Sequence, residues 1–168
     1  MDALDLLEQQ HRDVGDLLER IAQAPGRRER SLLVARVART IDAHTRSEER
    51  HLYPACTARM TRDPTLVHCA RERLGLARFA AETLAHTPVT DARFAPRLAQ
   101  LTDLFARHVC EEERHVFPRA KSHLTDEQLE LIGSALAETF ERFATPRPVR
   151  RGPRRTARST RAIGSRRG

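Results

Sequence analysis

At 168 residues, with six Phe, one Tyr and no Trp against abundant Leu, Ala, Glu and Arg, the chain can fill one core and is biased toward helix. Its formal charge of +7 is uneven: nine Arg and no acid lie in 145–168, which leaves 21 basic against 23 acidic residues over 1–144. No apolar run approaches the ~20 residues of a membrane helix, Asp2, Asp5 and Glu8 interrupt any leader, and three cysteines (Cys56, Cys69, Cys110) make no disulfide framework, so a cytoplasmic protein with reduced thiols is expected.

Residues 2–24 read as a first helix with the stripe Leu4, Leu7, Val14, Leu18 and Ile21. His11 interrupts that stripe, and Pro25-Gly26 ends it. A second helix starts near Glu29–Ser31. Its stripe is Leu33, Val37, Ile41, His44, Glu48, Leu52 and Ala55, and Pro54 predicts a kink or an early end. Asp63-Pro64 is a cap and first-turn signal for a third helix reaching about Ala85. The stripe chosen there is His68, Glu72, Leu76, Phe79 and Thr83. A fourth helix begins near Thr90-Asp91, with Phe94, Leu98, Leu101, Phe105, His108, Glu112 and Val116 on one face and a kink at Pro118. A fifth follows the cap Thr125 over 126–143, with Leu129, Ile132, Leu136, Phe140 and Phe143. The fold expected is all-α: an antiparallel up-down-up-down four-helix bundle with an added C-terminal helix. One domain would occupy 1–143. The segment 144–168, rich in Arg, Pro, Gly, Ser and Thr, would be a disordered tail, because it has too little apolar surface to offset its ordering entropy.

The chain contains an internal repeat. His44 to Pro54 (HTRSEERHLYP) aligns with His108 to Pro118 (HVCEEERHVFP). Each copy sets a His and a Glu four residues apart, a spacing that places both on one helix face. Seven polar residues thus lie on predicted buried stripes: His11, His44, Glu48, His68, Glu72, His108 and Glu112. A lone His on an apolar stripe is commonly a hydrogen-bonded core residue, but seven unpaired polar groups would cost several kcal/mol each to bury. Four imidazoles and three carboxylates are too many for one tetrahedral zinc and suit two six-coordinate first-row ions. Glu48 and Glu112 would bridge them, and three carboxylates with a hydroxide would neutralise two iron(II) ions. By that count one coordination position stays open, enough for a diatomic or a peroxide. His51 and His115 fall one position off the stripes, and His86 and His123 near helix ends.

The stretches HRDV from His11, HTRSEERHLYP, HCARE from His68 and HVCEEERHVFP resemble the hemerythrin HHE cation-binding domain over about residues 1–120. The resemblance implies a four-helix bundle, a non-haem carboxylate-bridged di-iron centre, and binding of O2, NO or peroxide. Oxygen-carrying hemerythrins have a His at the second ligand position of the third helix, where this chain has Glu72. An added carboxylate stabilises oxidised iron, which favours redox turnover or sensing over reversible carriage.

Three functions therefore follow, with the first placed ahead of the two alternatives. One is a di-iron store or sensor of a small ligand. Another is a di-iron enzyme that decomposes hydrogen peroxide. The third is contact with nucleic acid or an acidic partner through the Arg-rich tail, without sequence preference, since the tail has no aromatic to stack on bases. A monomer is expected.

Overall fold

The computed structural model describes residues 1–62 and 64–145. These form five helical rods, and no strand occurs among the described residues. Helix α1 is Ala3–Gln23. Helix α2 spans residues 27–59 and consists of Arg27–Ser47, a π-helical turn Glu48–Leu52 and Tyr53–Arg59. Helix α3 is Pro64–Ala85. Helix α4 spans 94–123 as Phe94–Glu111, a second π turn Glu112–Val116, and Phe117–His123. Helix α5 is Asp126–Ala144. The cap expected at Asp63 and the Arg-rich tail lie outside the described residues.

The caps follow from local chemistry. Asp2 accepts from the amides of Leu4 at 2.8 Å and Asp5 at 3.0 Å, which closes the free N-terminus of α1. Thr125 and Gln128 make a reciprocal capping box at α5. Asp91 does not open α4. Its carboxylate accepts from the Arg93 amide at 2.8 Å in a tight turn, and the helix begins at Phe94.

Neither Pro54 nor Pro118 ends its helix; an early end is one of the two outcomes expected at Pro54, and a kink the one expected at Pro118. A proline in an α-helix lacks an amide and crowds a carbonyl one turn back. Here the π turns absorb the misfit: the amides of Tyr53 and Phe117 bond to the carbonyls of Glu48 and Glu112, five residues back.

Helices α1 to α4 form the antiparallel bundle. Helix α3 packs on α2 and α4, while α5 lies over α1 and α2. Helices α1 and α4 touch sparsely, and an apolar groove of about 1190 Å³ runs between them past Leu18, Leu98 and Phe105 to His11. The core divides into two apolar clusters. One gathers Leu4, Leu7, Leu52, Tyr53, Val67, Leu74, Val116 and Phe117. The other gathers Val14, Ile21, Val37, Ile41, Ala77, Leu84, Leu101 and Phe105. A polar layer separates them.

Helix α3 is turned relative to the expectation. Its buried face is Val67, Ala70, Leu74, Ala77, Ala81 and Leu84. Leu76 and Phe79, placed on the buried stripe from sequence, are 54% and 69% exposed. Two ion pairs across helices hold this arrangement, Arg73–Glu111 to α4 and Arg78–Asp42 to α2, each at 2.9 Å.

Candidate metal centre

Three helices build the polar layer by exchanging apolar residues for ligand types at one level. On α1 the stripe passes from Leu7 through Gln10 and His11 to Val14. On α2 it passes from Ile41 through His44 and Glu48 to Leu52. On α4 it passes from Phe105 through His108 and Glu112 to Val116. His11, His44, Glu48, His108 and Glu112 are all buried and offer donor atoms within 4.8 Å of one another. His44 Nε2 lies 3.2 Å from His108 Nε2 and 3.4 Å from Glu48 Oε2. His11 Nε2 lies 3.4 Å, and His108 Nε2 3.6 Å, from Glu112 Oε2.

Surrounding groups orient the rings. His11 Nδ1 is 2.9 Å from Glu113 Oε1, and His44 Nδ1 is 2.9 Å from Gln10 Oε1. Both partners are oxygens, so each Nδ1 carries a proton and each Nε2 is turned toward the centre. The Tyr53 hydroxyl donates to Glu112 Oε1 at 2.8 Å and reaches Glu48 Oε2 at 3.4 Å. Phe105 sits edge-on to His11 and His44, with ring centroids 6.0 and 6.1 Å away, and Phe117 stacks on His11 at 5.9 Å.

The charge states record how crowded this layer is. Burial and the adjacent Glu112 carboxylate push Glu48 well above the usual carboxylate range. Burial also pushes Glu112 upward, but the His108 and His11 imidazoles outweigh it and hold the group at about 2. Burial lowers His108 to about 4 and His44 well below 6.5. His11 is raised, because bonds and charges from Glu112 and Glu113 overcome its burial. Burial and the two carboxylates push Tyr53 well above 10. In metal-free protein one carboxyl of the pair therefore keeps its proton.

A cation fits these residues. Among the described residues Gln10 Nε2, His11 Nε2, Glu48 Oε1, His108 Nδ1 and Glu112 Oε2 are buried without a hydrogen-bond partner. Each such orphan costs about 1–3 kcal/mol, and a positive ion beside His11 and the two carboxylates satisfies the acceptors among them. Five of the seven residues expected at the site thus converge.

The other two do not. His68 and Glu72 pair with each other at 3.2 Å on the surface, with side chains 69% and 66% exposed. Sequence reasoning chose the wrong face of α3 because four of its core residues are alanines, which barely register as a stripe. For His68 the level is wrong too, whereas the Arg73–Glu111 and Arg78–Asp42 pairs set Glu72 level with Glu112 and Glu48 but facing outward. The α3–α4 connection takes up residues 86–93, and the Arg73–Glu111 pair sets residue 73 beside 111. His68 therefore sits beside Pro54 and Thr57, below the layer. Three residues that matter were overlooked. Gln10 and Glu113 gave no sequence signal beyond adjacency to His11 and Glu112. Tyr53 did: it is the one place where the repeat swaps a hydroxyl for the hydrogen of Phe117.

A model of the hemerythrin HHE cation binding domain matches residues 2–120. Among solved structures, the chain is similar to a hemerythrin HHE cation binding domain-containing protein from Mycobacterium kansasii. The two share 25% sequence identity at a TM-score of 0.75, over 86% of this chain and 88% of that one. No curated protein sequence matches significantly. The family match covers all five converging residues and both repeat copies, and the chain belongs to the hemerythrin HHE cation-binding family.

Proposed function

We propose that the protein is a non-haem iron protein that binds a small ligand of the O2, NO and peroxide group, acting as a store or sensor. The observation that carries this reading is the set of five buried donors, three imidazoles and two carboxylates, in reach of one another. Mixed nitrogen and oxygen donors suit iron, and five exceed the four of a structural zinc site. Five protein donors on a six-coordinate ion leave one position for an outside ligand. His11 borders both the cluster and the apolar groove, so a small uncharged molecule can reach the centre between α1 and α4. Bound iron would supply the electrons and the Lewis acidity. The chain supplies ring orientation through Gln10 and Glu113, and Phe105 and Phe117 exclude water. The carboxylate-bridged iron pair implied by the family resemblance would need further donors from α3. No helix among the described residues is long and apolar enough to cross a membrane.

Peroxide decomposition is the second reading. The observation in its favour is Glu113, which lines the groove beside His11 and can take or give a proton there. The case made from Glu72, that a third carboxylate steadies oxidised iron, loses its support with Glu72 at the surface. To test the assignment, iron-loaded protein is reduced anaerobically and its optical spectrum followed on adding NO, then O2, then peroxide in separate runs. A reversible spectral change with NO or O2 supports binding. Sustained O2 evolution from peroxide supports the enzyme, and no response to any of the three rejects both.

A further inference from the structure

We propose that this centre is built for a single metal ion, in contrast to the paired ions implied by the family resemblance. The proposal rests on the metal-binding reading above and concerns how many ions that site takes. Three separate observations carry it.

The first is the spread of the donors. Around one six-coordinate ion with bonds of about 2.1 Å, neighbouring donors lie about 3 Å apart and opposite ones about 4.2 Å. The observed separations of 3.2, 3.4, 3.6 and 4.0 Å belong to that pattern, and one donor atom from each of the five residues lies within 4.8 Å of the others. Two ions about 3.5–4 Å apart need terminal donors spread over about 7–8 Å.

The second is the fourth wall of the layer. On α3 the buried face passes from Leu74, in one apolar cluster, straight to Ala77 in the other. Only Gly75 and Leu76 stand between, and both are exposed. The ion pairs Arg73–Glu111 and Arg78–Asp42 bracket this stretch and fix it level with His108 and His44. Turning His68 or Glu72 inward would break both pairs, bury Arg71 or Arg73 neighbours, and still leave His68 about 9 Å along the axis from Leu74, at 1.5 Å per residue.

The third is charge. Glu48 and Glu112 together neutralise one divalent ion. A second ion would leave uncompensated positive charge in a layer where no other acidic side chain is buried among the described residues.

The test is a stoichiometry on the full chain. Metal-free protein is titrated anaerobically with iron(II), and separately with cobalt(II), whose absorption reports the donor set. Bound metal is counted after gel filtration, and electron paramagnetic resonance of the cobalt(II) form distinguishes an isolated ion from a spin-coupled pair. One equivalent per chain with an isolated-ion signal is expected. His68→Ala and Glu72→Ala, both at exposed positions, should keep that equivalent and the same cobalt spectrum, and Glu48→Gln should lose it. Two equivalents with a coupled signal, or loss of metal in either α3 variant, would overturn the one-ion count while leaving the metal-binding reading intact. Failure to hold any metal would overturn both.

Discussion

Tyr53 and Glu112 face each other across the bundle, hydroxyl to carboxylate at 2.8 Å, from helices that carry the two copies of the repeat. The bond joins the two copies through Tyr53, one of the positions at which they differ. It occupies Glu112 Oε1 and leaves Oε2 as the unpartnered atom toward the imidazoles. Tyr53→Phe keeps the ring and removes only the bond. Metal affinity, read by competition with a chelator, should fall about 10–100-fold, as it does when groups behind a metal ligand are lost. Phe117→Tyr on the other copy should not restore it.

Metal-free protein should be most stable near pH 6.5. Between about 4.5 and 6.5 the unfolded chain holds protons on His44 and His108 that the folded chain excludes, while only the folded chain keeps one on Glu48. The unfolded state binds the net extra proton, so stability rises with pH, by about 1.4 kcal/mol per pH unit per proton. Above 6.5 the folded chain holds protons on Glu48 and His11 that the unfolded chain has lost, and stability falls. Metal displaces those protons, so the alkaline decline should disappear on loading. Thermal melts from pH 4.5 to 9, with chelator and with iron, check both limbs.

Gly133 is where α5 meets the start of α1. A Cβ there would lie 2.9 Å from the Ala3 nitrogen and 3.0 Å from the Asp2 carbonyl carbon, both backbone atoms. Helix propensity favours Gly133→Ala by about 1 kcal/mol, but overpacking costs about 1–3 kcal/mol. The variant should melt at lower temperature than wild type. A rise in melting temperature would show that α5 can shift without cost.

The tail beyond residue 145 should be dispensable for the centre, since every converging donor lies between His11 and Glu112. Truncation there should leave metal content and circular dichroism per helix unchanged. Any binding to DNA or RNA should vanish with the tail, and in the full chain should weaken steeply as salt rises. Salt-independent binding by the truncated protein would contradict this.

The sequence made some layers readable and hid others for physical reasons. His11, His44, Glu48, His108 and Glu112 stood out because polar residues on strongly apolar stripes are costly, and the repeat marked four of them. Helix α3 was misread because two faces competed. His68 and Glu72 imitated the repeat spacing, while the true face used small residues whose burial comes from close helix approach. The continuation of the helix past Pro54 was not legible because an i to i−5 hydrogen bond has no residue signature: Pro54 looks the same after a π turn as at a helix end.

The π turns make the helices that carry them sensitive to the length of the chain as well as to its chemistry. Each π turn carries one more residue than an α turn would need. Arg50 and Arg114 are exposed within them, and substituting either should matter little. Deleting either is another matter. The helix would return to its regular winding, and the residues on either side of the gap would keep their faces. Pro54 or Pro118 would then regain the clash with the carbonyl one turn back that the wide turn relieves. Loss of one codon at a surface arginine should therefore cost the helix about 3 kcal/mol, the cost of an interior proline, with the ligand residues still in register.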